Sequence, residues 1–332
     1  MPRELAVSIG QHSDKGRKEI NQDFHGALVP EGAALALKGI AVAIADGVTP
    51  SEVSHIAAET AVKSFLTDYY CTSEAWSVKT AGQRVISATN SWLHAETARS
   101  RSAYDPDRGY MCTLGAMVLK ARIAHVFHIG DSRVSKLSGD TLEPLTTDHR
   151  VVVSSTESYL GRVMGRESDV EIDYGALAMN EGDVFVLTTD GVHDYLDDGA
   201  IAHMITAGAD DLDGAARTVV DAALEAGSTD NLTIQIVRVD SAPDADADVN
   251  DQAVRQAHLE RMWAFVKDLA PAHNSLKANV LYALLDHQRK TGRYDRGLFL
   301  TYVKLPRPAP YMEPRYLQLD DVRRWPVNLG QD

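Results

Sequence analysis

Three short apolar runs in this chain end in an acidic residue followed by a small one: IAVAIADG at Asp46, VFHIGDSR at Asp131 and DVFVLTTDG at Asp190. Asp230, in GSTDNLTIQIV, stands just before another such run, and Asn21-Gln22-Asp23 adds an acid near the N-terminus. A strand buried on its flanks holds its terminal side chain rigidly, and a following glycine lets the backbone approach a ligand closely. Carboxylates gathered at one sheet end repel one another by roughly 4 kcal/mol per close pair at intermediate dielectric. A hard divalent cation cancels that repulsion. Carboxylate-plus-water coordination suits Mg²⁺ or Mn²⁺ better than zinc, which takes His and Cys. A single Asp-Gly pair after a strand is ordinarily a turn; the repetition is what points to a metal site.

The elements that must position these acids are legible in the apolar spacing. Ile40–Ala45 is a continuous apolar run suited to a buried strand, and strands are expected at Cys112–Val118, Ala124–Ile129, Asp183–Thr188 and Leu232–Val239. Three- and four-residue spacings predict helices over 52–70 (Val53, Ile56, Ala57, Ala61, Phe65, Leu66) and 78–98 (Val85, Ile86, Trp92, Leu93 on one side). A further helix is expected over 211–226. Strands interspersed with helices, without regular βαβ alternation, indicate an α+β layered sandwich.

Composition bounds the function. The chain has 332 residues and a net charge of −14, which disfavours general nucleic-acid binding. No apolar stretch approaches the ~18–20 residues of a membrane span, and MPRELAVSIGQHSD shows no secretory h-region. The expected location is cytoplasmic, without a membrane partner. Cys71 and Cys112 do not make a disulfide scaffold. Neither begins a C-x5-R element, which disfavours a cysteine-based phosphatase. Charge is uneven: residues 255–332 carry 13 basic and 8 acidic side chains, a net of +5, against −19 over residues 1–254. The Asp/Ala-rich SAPDADADVNDQ (241–252) reads as a linker. The expected organisation is a domain over 1–240, the linker, and a mainly helical C-terminal extension over 253–332.

Seven elements, taken in order, give a sharper reading: GRKEINQD (16–23), AIADG (43–47), CTLGAMVL (112–119), HIGDSR (128–133), LTTDH (145–149), GDVFVLTTDG (182–191) and STDNLT (228–233). Across about residues 5–240 the chain resembles the type 2C, or PPM-family, metal-dependent protein phosphatases, including the phosphatase part of bacterial phosphatase–kinase fusion chains. The resemblance implies an αββα four-layer sandwich with two central antiparallel sheets and a centre of two Mg²⁺ or Mn²⁺ ions. It implies that Asp46 bridges both ions and that the Gly47 carbonyl and Asp23 serve one. Asp190 and Asp230 would serve the other, and Asp131 and Asp194 match the pair that binds a weaker third ion in many members. A hydroxide bridging the two ions would attack phosphoserine or phosphothreonine in line. The implied partner is a phosphorylated protein, the target of a Ser/Thr kinase.

The sequence departs from the family in two places. Where members carry Arg three residues before the Asn of the N-terminal motif, this chain has Lys18 beside Arg17, and either could meet phosphate. The loop after Gly47 reads Val48-Thr49-Pro50-Ser51 in place of a glycine pair, with no histidine to act as an acid. His55 and His149 are read as ordinary structural or surface residues. So are His125 and His128, whose spacing on a strand puts them on opposite faces. The chain has no kinase G-x-G-x-x-G, H-R-D or D-F-G element. The alternative to an enzyme is a pseudophosphatase or interaction module that binds a partner through its C-terminal segment.

Overall fold

The computed structural model describes residues 3–152 and 158–244. All of these lie in the first of two units into which the chain divides, Met1–Asp248 and Val249–Asp332. The mainly helical extension expected over 253–332 falls outside the described residues.

The strands are β1 (Ala6–Asp14), β2 (Phe24–Leu28), β3 (Ile40–Ala45), β4 (Leu114–Lys120), β5 (Ile123–Ile129), β6 (Arg133–Ser138), β7 (Thr141–Pro144), β8 (Arg150–Val152), β9 (Ser158–Leu160), β10 (Asp173–Ala178), β11 (Val184–Thr188) and β12 (Leu232–Ser241). The helices are α1 (Gly32–Lys38), α2 (Ser54–Cys71), α3 (Val78–Arg99), α4 (Asp190–His193), α5 (Asp198–Ala207) and α6 (Leu212–Glu225). Two five-stranded antiparallel sheets form, in the orders β1-β12-β11-β6-β7 and β10-β5-β4-β3-β2, with β8 and β9 as a separate hairpin. Helices α2 and α3 pack on the second sheet, α5 and α6 on the first. This is the four-layer sandwich that the resemblance implies.

Period-two alternation explains the layering. Along β3, Ala41, Ala43 and Ala45 join Ala57, Ala61, Phe65 and Leu93 in the core beneath α2 and α3. The intervening Ile40, Val42 and Ile44 meet Phe185, Leu187, Val237 and Val239 between the sheets. Val186, Ile234 and Ile236 complete a third core with α5 and α6. A strand buried on both faces has no polar positions to alternate, which is why β3 reads as a continuous apolar run.

Two residues depart from the helical expectation. Trp92 is 45% exposed, and its ring meets Tyr110 edge-on at 6.4 Å, while Ile86 and Leu93 are buried. At about 100° per residue, Trp92 lies at the rim of the stripe that Leu93 centres. Ile56, near the start of α2, is also exposed. Asp190 does not end its strand: β11 stops at Thr188, and Asp190 opens the one-turn α4, with Asp194 just past it.

The approach of α6 to β1 depends on a missing side chain. A Cβ on Gly10 would stand 2.1 Å from the carbonyl carbon of Leu212, and backbone cannot yield. Gly10→Ala is expected to cost about 1–3 kcal/mol by overpacking. Gly175→Ala on β10, where nothing lies within 4 Å, should be near neutral. Denaturant midpoints at unchanged m-value check both; equal midpoints would contradict this packing.

Candidate metal centre

Strand register brings the acids together. Phe24 pairs with Ala45, so Asp23 and Asp46 extend the same two neighbouring strands at the same end. Thr188 pairs with Ile234, which sets Asp190 and Asp230 at the corresponding end of the other sheet. Asp131 follows β5, whose Ile129 pairs with Leu114 at the start of β4.

Each acid is then fixed locally. The Asp46 N–H donates to Thr113 Oγ1 at 3.0 Å, and its carbonyl accepts from the Thr113 N–H at 2.8 Å. Thr113 Oγ1 also contacts Ser132 Oγ at 2.6 Å, tying this strand end to the turn after Asp131. At Gly47 a Cβ would come within 2.8 Å of the Gln22 carbonyl and the Ser54 backbone, so only glycine allows these segments to close. Asp23 Oδ2 accepts from Thr189 Oγ1 (2.8 Å) and Thr233 Oγ1 (2.6 Å). Asn231 Oδ1 accepts from the Gln22 N–H at 2.8 Å, and its Nδ2 donates to the Lys15 and Ile20 carbonyls. Asn231 thereby fastens the loop that carries Lys18 to the start of β12.

Two basic side chains enter the group. Lys18 Nζ lies 2.8 Å from Asp230 Oδ1 and donates to Thr49 Oγ1 at 3.1 Å, whereas Arg17 is exposed. Arg150 pairs with Asp131, Asp190 and Asp194. Even so, burial pushes the Asp23 carboxyl up to about 6 and that of Asp190 up to about 7. Burial also raises Asp46 well above the usual range, and repulsion from Asp23, Asp190, Asp131 and Asp230 adds to it. Asp131 is raised by burial despite its arginine.

Divalent ions fit this arrangement. Asp23 Oδ1 and Asp190 Oδ1 are buried carboxylate oxygens without a hydrogen-bond partner, a costly state unless a cation meets them. The set consists of oxygens, the donors of Mg²⁺ and Mn²⁺.

The histidines stand apart. His149 Nδ1 accepts from the Gly130 N–H at 3.0 Å, and its Nε2 lies 2.9 Å from Asp173 Oδ2. His128, His149 and Asp173 bring ligand atoms within 4.8 Å of one another, a grouping that the spacing of His125 and His128 did not reveal. The Gly130 N–H places the neutral ring's proton on Nε2, toward Asp173, so His149 offers no lone pair there. Arg162 Nη1 also donates to Asp173, at 2.7 Å. Sequence reasoning missed Arg150, Thr189, Thr233 and Asn231. Thr233 and Asn231 lie inside STDNLT, Thr189 inside GDVFVLTTDG, and Arg150 directly follows LTTDH.

Comparison with known proteins bears on the family and the fold. A family profile described as Protein phosphatase 2C matches residues 11–226. A second, described as Actin-binding protein F N-terminal domain, matches residues 228–332, a span that includes β12 of the first sheet. Protein phosphatase PhpP of Streptococcus pneumoniae is 26% identical over 145 residues, covering 39% of this chain and 58% of that protein. The S. agalactiae serine/threonine phosphatase structure is similar in fold, with TM-score 0.61, 24% identity, and coverage of 70% of this chain and 100% of that one. The catalytic domain of the phosphatase PstP, solved with two manganese ions, is also similar, with TM-score 0.58, 22% identity, and coverage of 71% and 99%.

The raised carboxyls make metal-free stability depend on pH. Asp23 and Asp190 favour the fold while protonated, and that contribution is lost as pH rises through about 6 and 7. In EDTA-treated protein the thermal midpoint is expected to fall between pH 5 and pH 8. Mn²⁺ should restore it far more at pH 8 than at pH 5. A flat profile, or equal restoration at both, counts against a cluster of strained acids.

Proposed function

The chain belongs to the protein phosphatase 2C family, and on that premise we propose that it hydrolyses phosphoserine and phosphothreonine in proteins at a centre of two Mg²⁺ or Mn²⁺ ions. The observation that carries this reading is the pair of buried, unpartnered oxygens, Asp23 Oδ1 and Asp190 Oδ1, within a cluster of acids. In this reading Asp46, Asp23 and the Gly47 carbonyl would hold one ion, and Asp190 and Asp230, with Asp46 nearby, would hold the other. When bound, such ions supply a water that is nucleophilic near neutral pH and charge to neutralise the phosphate.

The chain's own residues do the rest. Thr189 and Thr233 hold the Asp23 carboxylate and Thr113 holds the Asp46 backbone before substrate arrives, so these groups need no reorganisation at the moment of reaction. Lys18 is the phosphate contact, since it reaches the acids at Asp230 while Arg17 is exposed. Its ammonium acts as a point charge on a flexible stem. The substrate is a phosphoprotein, the target of a Ser/Thr kinase, met in the cytoplasm. Among the described residues no helix is long and apolar enough to cross a membrane. A second reading, partner binding through the C-terminal segment without turnover, draws on the match of residues 228–332 to the actin-binding profile. The intact set of acids favours the enzyme.

Phosphopeptide hydrolysis should require Mn²⁺ or Mg²⁺, be abolished by EDTA, and fall by roughly 10²-fold or more in Asp190→Asn. Turnover that survives EDTA sinks the metal reading, and no turnover under any metal supports the binding module. Lys18→Ala should lower kcat/KM by about 10–100-fold, the worth of a charge-assisted hydrogen bond, and Arg17→Ala by less than about twofold. The reverse order would give the phosphate contact to Arg17.

A further inference from the structure

One guanidinium in this centre reaches three carboxylates. Arg150 Nε lies 2.6 Å from Asp131 Oδ2, Nη1 lies 2.8 Å from Asp194 Oδ2, and Nη2 lies 2.8 Å from Asp190 Oδ2. All three nitrogens of the planar fork are engaged, each with a different acid. The acids come from separate places: the turn after β5, and the two ends of α4. The chain leading to Arg150 is held as well. Asp148 is paired with Arg133 through Nε (3.0 Å) and Nη2 (2.7 Å), and His149 is fastened to Gly130 and Asp173.

We propose that Arg150 is the resident cation of the outer half of this centre: it holds Asp131 and Asp194, the acids a third divalent ion would need, so that the chain takes up two such ions and no third. The proposal rests on the two-ion reading above. Asp131 is only 3% exposed, so its charge needs a partner from within the protein, and Arg150 is that partner. An ion between Asp131 and Asp194 would compete for oxygens already hydrogen-bonded and would meet a positive charge at contact distance. Arginine cannot relieve this by losing a proton, so it would have to be expelled whole. Asp190 marks the division: Oδ2 belongs to Arg150, while Oδ1 is buried and unpartnered.

The test is the number of Mn²⁺ ions bound by the full chain, read by electron paramagnetic resonance of free Mn²⁺ during titration. Wild type should bind two, Arg150→Ala and Arg150→Gln three, and Arg150→Ala with Asp194→Asn two again. Three ions on wild type, or two on both single variants, overturns the proposal and leaves the two-ion reading standing. No ions on wild type overturns that reading and this one with it. Anomalous scattering from Mn²⁺-soaked wild-type crystals decides without any variant. Arg150 still seated on Asp131 and Asp194 supports the assignment, and a manganese peak between those two acids refutes it.

Discussion

Five carboxylates at one end of two sheets cannot all be charged unless cations stand among them. Asp46 shows the difficulty most sharply, since burial raises it and four other aspartates add to the repulsion. The protein does not lessen the crowding by spreading the acids apart. Threonine hydroxyls, the Asn231 amide and the Gly47 close contact hold them in place. Stability is given up locally to keep a fixed anionic cup, the usual price of a site organised before its ligand arrives.

The sandwich is what makes such crowding sustainable. The inner strands β3, β4, β11 and β12 bury both faces, one against helices and one against the other sheet. Polar chemistry is thereby excluded from the faces and confined to strand ends. Antiparallel register does the gathering. Asp23 precedes β2 and Asp46 follows β3, so the two must meet wherever those strands pair. Asp190 and Asp230 meet by the same logic across β11 and β12. One pairing error would carry an acid away from the cluster and turn apolar side chains to the wrong face.

That logic also explains what could be read from the sequence. The doubly buried strand β3 and the amphipathic α2, α3 and α6 announce themselves through periodicity, because burial is a property of each residue type. The acids announce themselves because each follows or precedes such a run. Trp92 was misplaced because periodicity gives a direction around a helix, and the edge of the buried stripe is set by what packs there. Arg150, Thr189 and Asn231 were silent for another reason. Their value lies in partners reached across the fold, more than 200 residues away for Asn231 and Gln22, and nothing local encodes such contacts. His128 and His149 likewise belong together only once β5 and the segment before β8 are adjacent.

The two basic residues of the centre differ in a way their common charge conceals. Lys18 meets one carboxylate, Asp230, and one hydroxyl, Thr49, through a compact ammonium with several rotatable bonds behind it. Letting go costs one ion pair, and a phosphate oxygen could replace that pair in kind. Arg150 meets three carboxylates through a rigid fork, so releasing it breaks three charge-assisted bonds together and strands the buried Asp131. A cation that can be exchanged suits contact with a substrate that comes and goes, and a cation that cannot suits a permanent wall of the site. On the proposed reading the same demand for positive charge is met twice, by Lys18, whose one ion pair a phosphate can replace, and by Arg150, whose three hold it in place.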